Sequence, residues 1–239
     1  MNNELKQPKL TLSAAPVQPS ILKRFFEHGE DTPMHLLEHP TSFRYAGWDL
    51  ETLDRARIKE GQYWEVVNGE RKTIRLYEDG TLLFTVWADN SFLGWGQDSD
   101  SFRGNPRLNS LALVEATTNF VFFYNQLIQY FEEKPSDIQF KIKFSNMILE
   151  NGKSIYLDPA PVGALFRTPF SEQEFKATKD IIENDKVLKT DLIESRPEIA
   201  AYKVLERIFL CFNTPTNKIP YTGEVDGTKY VDIEAFKKN

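Results

Sequence analysis

Residues 62–87 read QYWEVVNGERKTIRLYEDGTLLFTVW, and their alternation sets the architecture expected of the chain. Apolar side chains recur at every second position, at Ile74 and Leu76 and again at Leu82, Phe84 and Val86. A period of two marks a strand with one buried face. The runs are separated by Asn68-Gly69 and Asp79-Gly80. Such dipeptides accept the left-handed backbone that a tight hairpin needs. The stretch predicts an antiparallel meander, with residues 92–95 as a short fourth strand.

Downstream, the period changes. Asn109 predicts an N-cap for a long helix over 110–132. Leu111, Val114, Thr118, Val121, Asn125 and Ile128 form one stripe of it, and Phe120, Phe122, Phe123 and Tyr124 fill the other faces. A helix apolar nearly all round is a central one. After Pro135, Ile138, Phe140, Ile142 and Phe144 alternate with Gln139, Lys141, Lys143 and Ser145, which predicts a strand with one wet, basic face. Asn151-Gly152 predicts a second hairpin turn, and a strand is expected near 174–182. Ser195-x-x-Glu198 reads as a capping box, opening a helix with Ile199, Tyr202, Leu205, Ile208 and Phe209 on one side. The expected class is α+β: an antiparallel β-meander plus a second hairpin, packed on a long central helix and a C-terminal helix.

Upstream, short helices are predicted at 21–28, at 34–39 between Pro33 and Pro40, and at 49–58. Residues 1–20 are polar and carry Pro8, Pro16 and Pro19, so they read as a flexible arm. Residues 21–213 read as a single domain and residues 214–239 as a polar C-terminal tail.

The 239 residues are 41% hydrophobic with a formal charge of −6. That acidity disfavours a broad phosphate-binding footprint, which needs many cations on one face. Cys211 is the single cysteine, so no intrachain disulfide can form; within an apolar run it is expected as a packing residue. No apolar run reaches membrane-spanning length and the first residues lack a signal-peptide core. A cytoplasmic location with no membrane partner is the expectation.

All three histidines, His28, His35 and His39, fall in one short stretch. His35-Leu36-Leu37-Glu38-His39 spells H-x-x-E-H, the inverted zincin motif. Histidines at i and i+4 share a helical face and can share a zinc ion. Glu38 would then activate the metal-bound water as general base. Glu115, a carboxylate set among apolar helix residues, is the candidate third ligand. Pro40 confines the motif to one turn, which favours a surface turn docked by Leu36 and Leu37. A fainter pattern, Glu65 with Glu70-Arg71-Lys72, has the residue types of an acid-acid-lysine nuclease site. The aromatic group Tyr63, Trp64, Trp87, Phe92 and Trp95 reads mainly as core packing. Lys141, Lys143 and Lys153 offer a single-strand binding surface.

The order of elements carries a resemblance. Tyr77-Glu78-Asp79-Gly80-Thr81 is followed by the helix over 111–131, the strand over 138–144 and the turn Glu150-Asn151-Gly152-Lys153. Residues 45–213 so resemble the C-terminal accessory region of bacterial proteins that carry an AlbA-type, Schlafen-like nucleic-acid-binding domain at their N-terminus. The resemblance implies a non-catalytic accessory module working beside a partner that supplies the chemistry. It brings no catalytic residues, and the AlbA-like domain itself is absent from this chain.

The first reading is therefore a non-catalytic interaction, sensor or accessory module of a bacterial multi-component system, with a protein partner and no cofactor. Nucleic acid as partner is not favoured by the net charge. The alternative is a small zinc-dependent hydrolase using His35, His39 and Glu115 as ligands and Glu38 as base.

Overall fold

The computed structural model describes residues 7–40, 42, 43, 48, 50, 54–69, 71–88, 92–94, 107–158 and 175–237. In chain order its elements are β1 (Lys9–Pro16), α1 (Pro33–Glu38), β2 (Arg57–Lys59), β3 (Tyr63–Asn68), β4 (Lys72–Tyr77), β5 (Leu82–Trp87), β6 (Arg107–Asn109), α2 (Ser110–Leu127), β7 (Asp137–Ser145), β8 (Tyr156–Asp158), β9 (Ile182–Lys189), α3 (Thr190–Ser195), α4 (Pro197–Leu210), β10 (Thr222–Val225), β11 (Thr228–Val231) and α5 (Ile233–Lys237).

Seven strands make one sheet in the order β2-β3-β4-β5-β1-β7-β9, with every neighbouring pair antiparallel. The α+β class, the meander β3–β5, strand β7 and the central and C-terminal helices stand where the periodicity put them. Asn109 caps α2 as expected: its Oδ1 accepts the N–H groups of Leu111 at 2.9 Å and Ala112 at 3.4 Å. After α2 a 3-10 turn, Ile128–Tyr130, ends the helical run short of 132.

Pleating sends alternate side chains to opposite faces. One face of the sheet carries Leu10, Leu12, Ala14, Ile74, Phe84, Phe140 and Phe144, all nearly fully buried. Against it lie α2 and α4. Phe120 of α2 stacks on Phe84 and meets Phe140 edge-on, at 6.4 Å between centroids in each case. Phe144 meets Phe212 at 5.1 Å. Trp64 is buried too, and its indole N–H donates to the Phe25 carbonyl at 2.6 Å. A fully buried aromatic of this size is worth roughly 1.5–3 kcal/mol in transfer free energy, so this layer contact is the main cohesion of the fold.

Four local expectations are corrected. Residues 1–20 are not an arm throughout, because β1 lies inside the sheet, between β5 and β7. Leu10, Leu12 and Ala14 keep the strand period; Pro16 sits at the strand's end, where a missing N–H is tolerated. Residues 214–239 are not a tail with little packing. Ile219, Val231 and Phe236 enter the core, and β10 and β11 close on Asp226-Gly227, both with positive φ, the geometry of a type I′ turn. The strand expected at 174–182 runs instead over Ile182–Lys189, where a charged edge strand hides its period. The capping box is absent: α4 starts at Pro197 without a side-chain cap, and Ser195 donates its hydroxyl to the Asp191 carbonyl at 2.6 Å.

Smaller differences follow. Residues 23–26 form turns rather than a helix, with Leu22 bridged to Phe131. Phe92, Leu93 and Gly94 form a turn, and Trp95 lies outside the described residues. The helix expected at 49–58 lies partly outside them, and its end belongs to β2. Asn151-Gly152 does turn the chain, between Ile148 and Ser154, which form an isolated bridge. The chain then enters β8, which runs parallel to β6. No described helix is long and apolar enough to cross a membrane.

Candidate functional site

The histidine turn is well built. Thr32 Oγ1 accepts the His35 N–H at 3.2 Å, and the His39 N–H donates to the His35 carbonyl at 3.0 Å. Met34 and Leu37 are buried, which fixes the opposite side outward. His35 is half-buried and His39 exposed, with ring centroids 4.5 Å apart. His28 stands elsewhere, edge-on to Trp64 at 5.4 Å.

The two carboxylates of the hydrolase reading are engaged with backbone. Glu38 Oε1 accepts the Ala56 N–H at 2.9 Å. Glu115 is 1% exposed; its Oε2 accepts the Trp48 N–H at 3.4 Å, and its Oε1 accepts the Tyr221 hydroxyl at 3.5 Å. One turn along, Asn119 donates to the Trp48 carbonyl at 3.4 Å. Glu115 and Asn119 thus hold both polar groups of one backbone residue, which is how a buried carboxylate is made tolerable. Among the described residues no three or more His, Cys, Asp or Glu side chains form a group that could hold a metal ion. The structure brings His35 and His39 together and does not gather Glu115 with them.

The acid-acid-lysine pattern is divided by the sheet. The register pairs Glu65 with Arg75 and Lys72 with Asn68, so Glu65 and Lys72 project to opposite faces. Lys72 is buried, its ammonium 5.2 Å from the Phe92 ring centroid. Glu70 lies outside the described residues. Cys211 is half-buried at the end of α4, its thiol pushed up chiefly by burial, which disfavours the nucleophilic thiolate.

The feature that local patterns did not assemble is the second face of the sheet. It is built by the odd-numbered residues of β1, β3, β4, β5, β7 and β9, brought into line by register. One row runs Glu65, Arg75, Leu83, Ser13, Lys141, Asp185, and the next runs Val67, Thr73, Thr85, Thr11, Lys143, Glu183. The Thr11 and Thr85 hydroxyls lie 3.2 Å apart. Tyr63 and Tyr77 face each other at 4.9 Å, and the Arg75 guanidinium lies 5.4 Å from the Tyr63 centroid. Val67, Leu83 and Trp87 are half-buried, yet belong neither to the core cluster nor to the side chains packed on it. Trp64 and Phe92, by contrast, are core, so the aromatic group expected as packing is divided between the two faces.

Charge on this face is mixed, with lysines on β1 and β7 and acids on the neighbouring edge strand β9. Lys143 pairs with Glu183 at 2.8 Å and Lys189 with Asp137 at 2.9 Å. Among the described residues Lys141, exposed, and Lys9, half-buried, have no acidic partner. Lys153 sits apart in the Asn151-Gly152 turn, its N–H bonded to Asn151 Oδ1 at 3.0 Å. The sheet edges are charged: β2 offers Arg57 and Lys59, and β9 offers Glu183, Asp185 and Lys189. Charged edges resist addition of a foreign strand. The sequence signal for this surface was the alternation in β1, masked by its flanking prolines.

Comparison with protein-family models, with curated proteins and with solved structures finds no match for this chain.

Proposed function

We propose that this chain is a non-catalytic interaction module, an accessory or sensor component of a bacterial multi-component system, and that it docks a protein partner on the odd-numbered face of its sheet. The observation that carries the reading is the composition of that face. Half-buried Val67, Leu83 and Trp87 stand outside the core, beside Lys9 and Lys141. Apolar centres with polar surroundings are what protein interfaces use. The unpaired lysines on a chain of charge −6 select a partner with an acidic patch, by complementarity. The charged strand edges direct docking across the face rather than along an edge. The resemblance to an accessory region points the same way.

The test is a photo-cross-linking side chain placed at Lys141 in the native host, with a control at Glu132, which is exposed. The expected result is one discrete adduct from position 141 that disappears in the Lys9→Glu background and is absent from position 132. No adduct at 141, or equal adducts at both positions, contradicts the proposal. Salt-dependent binding of a single-stranded oligonucleotide to the same face would replace the protein partner with nucleic acid.

A further inference from the structure

We infer that His35 and His39 form a two-histidine site for a borderline divalent cation, zinc, copper(II) or nickel, on the surface of the protein and independent of the sheet face. The geometry is specific. The rings sit 4.5 Å apart between centroids, tilted by 51°. Two nitrogens bound to one zinc at about 2.0–2.1 Å stand roughly 3.3 Å apart, a separation that rings this close reach by small side-chain rotations. Neither imidazole has a hydrogen bond or ion pair to its ring among the described residues. The turn that carries them is held by the Thr32 cap, by the His39 N–H to His35 carbonyl bond and by buried Met34 and Leu37. The backbone that carries the pair is therefore preorganised, which lowers the cost of binding. Imidazole suits these ions better than it suits magnesium or calcium.

Two protein ligands leave the remaining positions to water or to a donor from a docked molecule. Such a site anchors a cation; it does not of itself imply hydrolysis.

Tag-free protein titrated calorimetrically with zinc chloride tests the inference. One saturable site is expected, weakened roughly tenfold or more by His35→Gln and equally by His39→Gln, with His28→Gln unchanged. Far-UV circular dichroism checks that each variant is folded. Absence of saturable binding, wild-type affinity in either His35→Gln or His39→Gln, or an equal loss in His28→Gln overturns it.

Discussion

Tyr124, in the last turn of the buried helix α2, donates its hydroxyl to the Gly80 carbonyl at 3.1 Å. The bond fastens the helix to the β4–β5 turn. Gly80 has a φ of 82°, and a Cβ there would collide with the Phe131 ring. Tyr124→Phe leaves the buried Gly80 carbonyl without this donor and is expected to cost about 1–3 kcal/mol. Gly80→Ala is expected to cost more, since the left-handed backbone alone penalises a Cβ by about 1–2 kcal/mol. Urea midpoints at unchanged m-value measure both.

The same residue sets an alkaline limit. Burial, and secondarily the charge of Asp79, pushes the Tyr124 phenol well above its ordinary range. The folded chain therefore keeps this proton to higher pH than the unfolded chain. Stability is unaffected below about pH 10 and falls as pH rises beyond it, up to the folded-state value. Tyr124→Phe is expected to flatten this alkaline slope in a pH series of denaturation curves. An unchanged slope would show that the phenol is not the responsible group.

Strand β1 is a structural centre. Leu12 is 1% exposed, and Leu12→Ala is expected to cost about 2–5 kcal/mol. Removing residues 1–16 takes out the strand between β5 and β7 and is expected to abolish cooperative unfolding. A truncated chain that unfolds like the full one would contradict the sheet order.

Asp137 gives an acid-side prediction. The Ser136 hydroxyl, then Lys189, hold its carboxyl below the usual range. A depressed folded-state value means that its stabilisation is present above the unfolded carboxylate value, about pH 3.9, and is lost as pH falls through the folded one. Carboxyl titration by NMR should find Asp137 low and Ser136→Ala higher. An unmoved titration would remove the hydroxyl as the main cause.

The legible parts of the fold are those written in short-range period. Ile74, Leu76, Phe84 and Val86 gave the meander, and Asn109 gave the start of α2 to the residue. Strand β1 has the same period in Leu10, Leu12 and Ala14, but three nearby prolines imitate a linker. The C-terminal hairpin and α5 carry few apolar residues, and they count because Val231 and Phe236 reach a core built by distant segments. Turn geometry decided the fate of the Glu65 and Lys72 pattern. A two-residue Asn68-Gly69 turn would have set Lys72 opposite Glu65; the register pairs Asn68 with Lys72 instead, and parity sends the lysine to the core face. Likewise H-x-x-E-H fixes only what lies within one turn. His35 and His39 meet as the spacing requires, while Glu115 answers to Trp48 and Tyr221, partners that no local motif names. A sheet face made of six strands is legible only once their register is known.

Hydroxyl-radical oxidation of Tyr63, Tyr77 and Trp87, compared between the purified chain and intact host cells with Tyr230 as reference, reads that face directly. Ready oxidation of the three rings is expected in the purified chain and protection in cells, with Tyr230 unchanged. Equal oxidation in both settings, or equal protection in both, would contradict a partner docked there.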